Sequence, residues 1–251
     1  MTKPMKAVVW AAVTVSLLVL LGFGMKYQIK KWYLEENPVI WLPEIWAFEA
    51  QDKQVDFPDD AVVFVGSSSI RFWDSLAEDM APLAVIKRGF GGARLSDVIH
   101  YIDRIVVPYE PAAIVLFAGT NDMIPGRAKS PEAVLALYQS FVQRVLEDLP
   151  DTPIFYIAIT PSPKRWAIWP QAQEANRLIK AHADLNSLLT VIDTKAVLMT
   201  EAGEPNASLY RDDGLHLNEH GYQAWTSVIR PVLLQWAAMA EAESDSRLEG
   251  E

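Results

Sequence analysis

The sequence predicts a three-layer α/β domain, a parallel sheet covered on both faces by helices, carried on an N-terminal membrane-spanning helix. Three observations point there. Five short apolar, β-branched runs recur between residues 61 and 194, helix-period segments separate them, and a long uncharged run stands near the N-terminus. Strands that are apolar throughout belong to a sheet buried on both faces, and their alternation with helices makes that sheet parallel.

Taken in order, residues 7–25 are 19 uncharged positions rich in Val, Leu and Ala. As a helix they reach about 28 Å, close to the roughly 30 Å of a bilayer core. Lys3 and Lys6 precede the run, Lys26, Lys30 and Lys31 follow it, and Tyr27, Trp32 and Tyr33 suit the interface. Gly22 and Gly24 make a small-x-small pair, but no A-x-A site is present. Residues 1–31 therefore read as an uncleaved anchor, with a cleaved signal as the rival. The short tail before the run favours tail inside and the body outside. The expectation is a single-pass membrane protein with an extracytoplasmic (periplasmic) domain, or a secreted form if the segment is cleaved. Residues 32–60, interrupted by Pro38, Pro43 and Pro58, read as a stalk.

The domain itself is expected over 61–240. Strands are predicted at 61–66, 83–89, 112–119, 153–160 and 188–194, and helices at 70–79, 95–106, 131–149 and 170–185. Ser130 before Pro131 supplies an N-cap and a first-turn proline. A last amphipathic helix covers 219–240, and 241–251 reads as an acidic disordered tail. Five strands joined this way make a flavodoxin-like five-stranded sheet, with ligands at the carboxyl ends of the strands.

Composition narrows the chemistry. The chain has 251 residues and no Cys, which excludes disulfides, Cys-ligated zinc, iron–sulfur clusters, thiol nucleophiles and a lipidated-Cys anchor. Its net charge of -10 argues against a nucleic-acid partner. The first 31 residues nevertheless carry five Lys and no acid, so an acidic body follows a basic anchor.

Each of the first three predicted strands ends in a Gly-containing polar turn. These read Gly66-Ser67-Ser68-Ser69, Arg88-Gly89-Phe90-Gly91-Gly92 and Gly119-Thr120-Asn121-Asp122, and Asp212-Asp213-Gly214-Leu215-His216 stands near the C-terminus. A serine attacks only once a base takes its proton. Three hydroxyls, at Ser67, Ser68 and Ser69, compete for that role, and any of them could instead cap a helix. His216 lies three residues after Asp213, close enough for the carboxylate to fix its tautomer and leave Nε2 free as the base. Asp212 competes with Asp213 as that acid. His100 and His182 fall within helical segments. His216 and His220 form a His-x3-His pair, but no third ligand has telling spacing, so neither a metal nor a cofactor is expected.

Together the four blocks resemble the SGNH branch of the GDSL-type hydrolases, a family of esterases and lipases, over roughly residues 61–240. The resemblance implies Ser68 as nucleophile with His216 and Asp213 completing a triad. It also implies an oxyanion hole formed by the amides of Ser68 and Gly92 and the side-chain amide of Asn121. Two positions depart from the family pattern: Ser67 stands where the family usually has Asp, and Lys87–Arg88 where it usually has Asn. Trp166 and Trp169, flanked by Lys164 and Arg165 after the fourth strand, are candidates for lining the substrate site. The leading function is hydrolysis of carboxylic esters with small acyl groups, on a small-molecule or glycan ester. The alternative is a membrane-tethered O-acyltransferase on a glycan using the same site.

Overall fold

The computed structural model describes residues 3–126 and 128–248. The chain divides into two compact units, residues 1–44 and 45–251. The first contains α1 (Lys3–Leu34). Within it Val13–Lys31 is long and apolar enough to cross a membrane, and none of it is buried. The expected anchor thus lies inside a longer helix, because no breaker follows Met25 and the lysines beyond it are good helix formers.

The next helix, α2 (Leu42–Asp52), begins in the first unit and ends in the second. The second unit is built on β1 (Val62–Gly66), β2 (Val85–Gly89), β3 (Ala113–Phe117), β4 (Ile154–Ile157) and β5 (Leu189–Ile192). Its remaining helices are α3 (Ser68–Arg71), α4 (Leu76–Met80), α5 (Leu95–Ile105), α6 (Pro131–Asp148), α7 (Trp169–Ala183), α8 (Lys195–Leu198) and α9 (Glu219–Leu248). The strands form one parallel sheet in the order β2-β1-β3-β4-β5, the flavodoxin-like order.

Strand residues alternate between two buried layers. Val62, Phe64, Val115, Phe117, Phe155 and Ile157 pack with Tyr222, Trp225, Ile229 and Leu233, spaced three and four apart along one face of α9. The intervening Val63, Val65, Ile114 and Leu116 are equally buried and face the layer where α5, α6 and α7 lie side by side. Register brings three strand ends level, with Gly66 opposite both Gly89 and Phe117. The polar turns that follow therefore meet at one end of the sheet.

Two boundaries differ from expectation. The stalk reading of 32–60 gives way at Ile45, which is 0% exposed. From there α2 is fastened to the sheet domain by Arg88, itself 1% exposed on β2. The guanidinium pairs with Asp52, donates to Gln51 Oε1 at 3.3 Å and to the Tyr109 hydroxyl at 2.6 Å, and lies against the rings of Phe48, Phe57 and Tyr109. A buried cation needs a counter-charge, and the supposed stalk supplies it. Arg104 adds a bond to Glu49 at 2.7 Å. At the other end α9 continues to Leu248 through the segment read as a disordered tail. Ala242 and the helix-forming Glu241, Glu243, Arg247 and Leu248 keep that stretch helix-permissive.

Candidate active site

The first turn is shaped by backbone geometry. Gly66 has φ +144°, and a Cβ there would lie 2.0 Å from the Phe117 carbonyl oxygen, so no side chain fits between β1 and β3. The Ser67 amide donates to that carbonyl at 3.0 Å, and the Phe90 amide donates to the Gly66 carbonyl at 3.0 Å. Between these two pins the chain turns into α3, with Ser68 as its first residue. Ser67, where the family usually has Asp, is buried at the N-cap position and makes no side-chain capping bond. Gly89 lets β2 approach closely, because a Cβ there would meet the Arg71 amide at 2.3 Å. From α9 the Tyr222 hydroxyl donates to the Ser69 carbonyl at 2.8 Å.

The C-terminal loop brings the base to the serine. The Arg211 amide donates to the His216 carbonyl and the Gly214 amide to the Arg211 carbonyl, both at 2.8 Å. Within that closed turn Asp213 Oδ1 accepts from the Leu215 and His216 amides at 2.9 and 3.0 Å, and Oδ2 lies 2.6 Å from His216 Nδ1. His216 Nε2 lies 2.9 Å from Ser68 Oγ. Desolvation works against the Asp213 charge, but the His216 amide and ring and the Leu215 amide outweigh it and hold the carboxyl down to about 2. An ionised acid beside Nδ1 favours the proton there and a free Nε2 facing the serine. Asp212 is exposed and takes no part in this chain of bonds. His100 and His182 stand away on α5 and α7, and His220 faces Gln223 at 3.4 Å.

The third turn opens at Gly119, φ +119°, and carries Asn121 half-buried beside the serine. Asn121 Nδ2 donates to the Ala93 carbonyl at 3.0 Å, which ties this turn to the Gly91–Gly92 loop. Gly92 itself is half-buried with φ +25°. Beneath it Asp122, 1% exposed, accepts from the Leu95 amide at 3.0 Å with one oxygen, while its other oxygen has no partner. Burial pushes that carboxyl up to about 7 against the pull of the Leu95 amide and the Lys129 and Arg94 charges.

Ser67, Ser68, Ser69, Phe117, Thr120, Asn121, Thr160, Ser162, Leu215 and His216 enclose a pocket of about 20 Å³ at the strand ends. Trp166 and Trp169 do not line it. They stack on each other with centroids 6.3 Å apart, and Trp169 faces a separate cavity on α7. Sequence reasoning missed Asp122, Ser162, Phe72 and Arg211, all of which touch this assembly. Asp122, beside Asn121, stands within a block that the sequence marks, and Ser162 within the segment after the fourth strand that carries Trp166 and Trp169.

A family model for the GDSL-like lipase/acylhydrolase family matches residues 60–224. The chain belongs to this family. No curated protein matches the sequence. Among solved structures, a GDSL-like lipase from Bacteroides thetaiotaomicron is 20% identical, with a TM-score of 0.65 over 76% of this chain and 97% of its own. A protein from Streptococcus pneumonia named for platelet activating factor is 21% identical, with a TM-score of 0.69 over 84% of this chain and 99% of its own. An acetyl esterase mutant solved with an acetate ion is 17% identical, with a TM-score of 0.57 over 72% and 99%. These likenesses show a shared fold, and the GDSL-like family model covers all four sequence blocks.

Proposed function

We propose that the chain hydrolyses carboxylic esters of small acyl groups through an acyl-enzyme on Ser68. The observation that carries this reading is the unbroken sequence of contacts from Ser68 Oγ through His216 Nε2 and Nδ1 to Asp213, at 2.9 and 2.6 Å. His216 takes the serine proton as Oγ attacks the carbonyl carbon, and Asp213 stabilises the resulting imidazolium. The developing oxyanion is held by the amides of Ser68 and Gly92, as in the family, and by Asn121, whose Nδ2 keeps a second N–H beyond the one given to Ala93. The imidazolium protonates the leaving alcohol, and water then releases the acid by the reverse sequence.

The pocket supports the small acyl group. It is small and mostly polar, with Phe117 and Leu215 as the apolar side chains lining it among the described residues. An acetyl esterase among the structural neighbours agrees with that size. The reading includes a single-pass anchor in α1 with the hydrolase domain on the extracytoplasmic side. A fluorophosphonate probe tests the chemistry. It should label Ser68, fail on Ser68→Ala and His216→Ala, and still label Ser67→Ala and Ser69→Ala. Undiminished labelling of His216→Ala would show that another base serves the serine.

A further inference from the structure

Four buried hydroxyls among the described residues have no hydrogen-bond partner: those of Ser96, Tyr138, Ser162 and Thr194. Of these only Ser162 lines the pocket that holds Ser68 and His216. It is 4% exposed. A buried hydroxyl left without a partner destabilises the fold, so a folded chain that keeps one in a polar pocket has a use for it there.

The backbone fixes where this hydroxyl stands. Ser162 belongs to the loop after β4, and that loop is stitched to the histidine loop on both sides. The Tyr210 hydroxyl donates to the Pro161 carbonyl, and the Lys164 amide donates to the Gly214 carbonyl at 2.8 Å. The Arg165 amide, donating to the Ser162 carbonyl at 3.1 Å, closes the loop on itself. Ser162 is therefore held on the wall that carries Leu215 and His216. The oxygen that exchanges protons with His216 Nε2 must stand at that wall, first as the leaving alcohol and then as the incoming water.

We infer that the Ser162 hydroxyl binds the acceptor oxygen during deacylation, orienting water toward the acyl carbon while His216 takes its proton. This rests on the acyl-enzyme reading above. In the step, the water oxygen forms a bond to the acyl carbon and its proton passes to Nε2. The bond from that carbon to Ser68 Oγ then breaks, and Oγ takes the proton back from His216. One water is consumed and one carboxylic acid leaves, with no other reactant. Ser162 stays protonated throughout and lends only a hydrogen bond, accepting from the water or donating to it.

The test uses the full-length protein in detergent, with 4-nitrophenyl acetate. That leaving group departs without needing a proton, so acylation reports on Ser68 and His216 while deacylation reports on the acceptor oxygen. Rapid quench with intact-mass detection follows acetyl-Ser68 directly. Ser162→Ala should acetylate at the wild-type rate and lose the acetyl group about tenfold more slowly, the typical effect of one lost neutral hydrogen bond. Where deacylation limits turnover, kcat and KM should then fall together with kcat/KM unchanged. Ser162→Gly should behave alike, and Ser162→Thr, which keeps a hydroxyl, should recover most of the rate. Unchanged deacylation in the Ala and Gly variants would overturn the inference, as would equal slowing of both steps, which is the mark of a distorted fold. A wild-type protein that never carries acetyl on Ser68 would instead remove the acyl-enzyme reading itself.

Discussion

Phe72 stands edge-on to His216, with ring centroids 4.9 Å apart and planes at 87°. Phe72 closes the short helix that begins at Ser68, so one aromatic contact joins the serine's element to the histidine's. Arg211 covers that joint. Its guanidinium lies 5.0 Å from the Phe72 centroid, donates to the Phe72 carbonyl at 3.3 Å, and donates to the Leu217 carbonyl at 3.1 Å. Arg211→Ala removes two charge-assisted bonds, one across the joint to Phe72 and one within the histidine loop to Leu217. It should lower kcat for 4-nitrophenyl acetate roughly tenfold, the scale of one such bond, with little change in KM. Arg211→Lys, which can reach only one carbonyl at a time, should fall between. Full activity in the Ala variant would show that the Arg211 side chain is not needed to hold the joint.

Asn121 is expected to act on the transition state. Losing one oxyanion donor costs about 100- to 1,000-fold in kcat, and Asn121→Ala should show that loss with KM little changed. The same amide also anchors the Ala93 carbonyl, so melting temperature is measured alongside. A mainly KM effect would recast Asn121 as a substrate-positioning group.

Much of this was legible in the sequence because it follows from local pattern. Apolar, β-branched runs mark all five strands, three of them ending in glycine, and the Asp213–His216 spacing closes within a single turn, as three-residue separations can. What escaped depends on contacts between segments far apart in the chain. Arg88 departs from the family pattern with no reason visible in the sequence, because its partner Asp52 lies 36 positions earlier in a stretch that reads as a stalk. Ser162 looked like any loop serine, since only the folded chain shows that its hydroxyl is buried without a partner. The two tryptophans attracted notice as large aromatics after a strand, yet the loop turns them onto each other and away from the pocket.

Asp122 should make stability depend on pH in the sense opposite to an ordinary paired carboxylate. Its carboxyl is raised from the usual range to about 7 in the folded state. Between that value and the unfolded pKa near 4, the native protein binds more protons than the unfolded chain. Stability contributed by this group is therefore present at low pH and lost as pH rises toward 7. Charges from Asp97, Arg94 and Lys129 act on it from the neighbouring segments. Asp122→Asn removes the titration, so the difference in Tm between variant and wild type should shift in the variant's favour from pH 5 to pH 8. Each kcal/mol of that shift corresponds to roughly 2–4 °C. A difference independent of pH would mean that the carboxyl stays charged throughout.

The Asp52–Arg88 pair predicts that the helix before the sheet is needed for stability. Asp52→Ala leaves the guanidinium buried with Gln51 and Tyr109 as its remaining side-chain bonds. Stranding a buried charge costs on the order of 3 kcal/mol, which is a fall in Tm of roughly 6–12 °C. Thermal melts of the full chain in detergent measure it. A shift under about 2 °C, less than 1 kcal/mol on the same scale, would show that the remaining hydrogen bonds and the aromatic rings hold Arg88 without Asp52.

The proposed anchor makes a different kind of prediction, because its hold is apolar burial and not the surrounding lysines. Val13–Lys31 presents a surface that is unburied along its whole length. Leu17, Leu18, Leu20, Leu21 and Phe23 are each more than half exposed. Charge attraction to a membrane is screened at about 3 Å in 1 M salt, whereas burial of a span of this length is indifferent to salt. A high-salt wash should therefore leave the protein in the membrane fraction, and detergent should release it. Protease added to spheroplasts should digest the hydrolase domain if it faces outward, and protection there would reverse the proposed orientation. A soluble form whose N-terminus begins near Met25 would show that the segment is a cleaved signal, with the domain released.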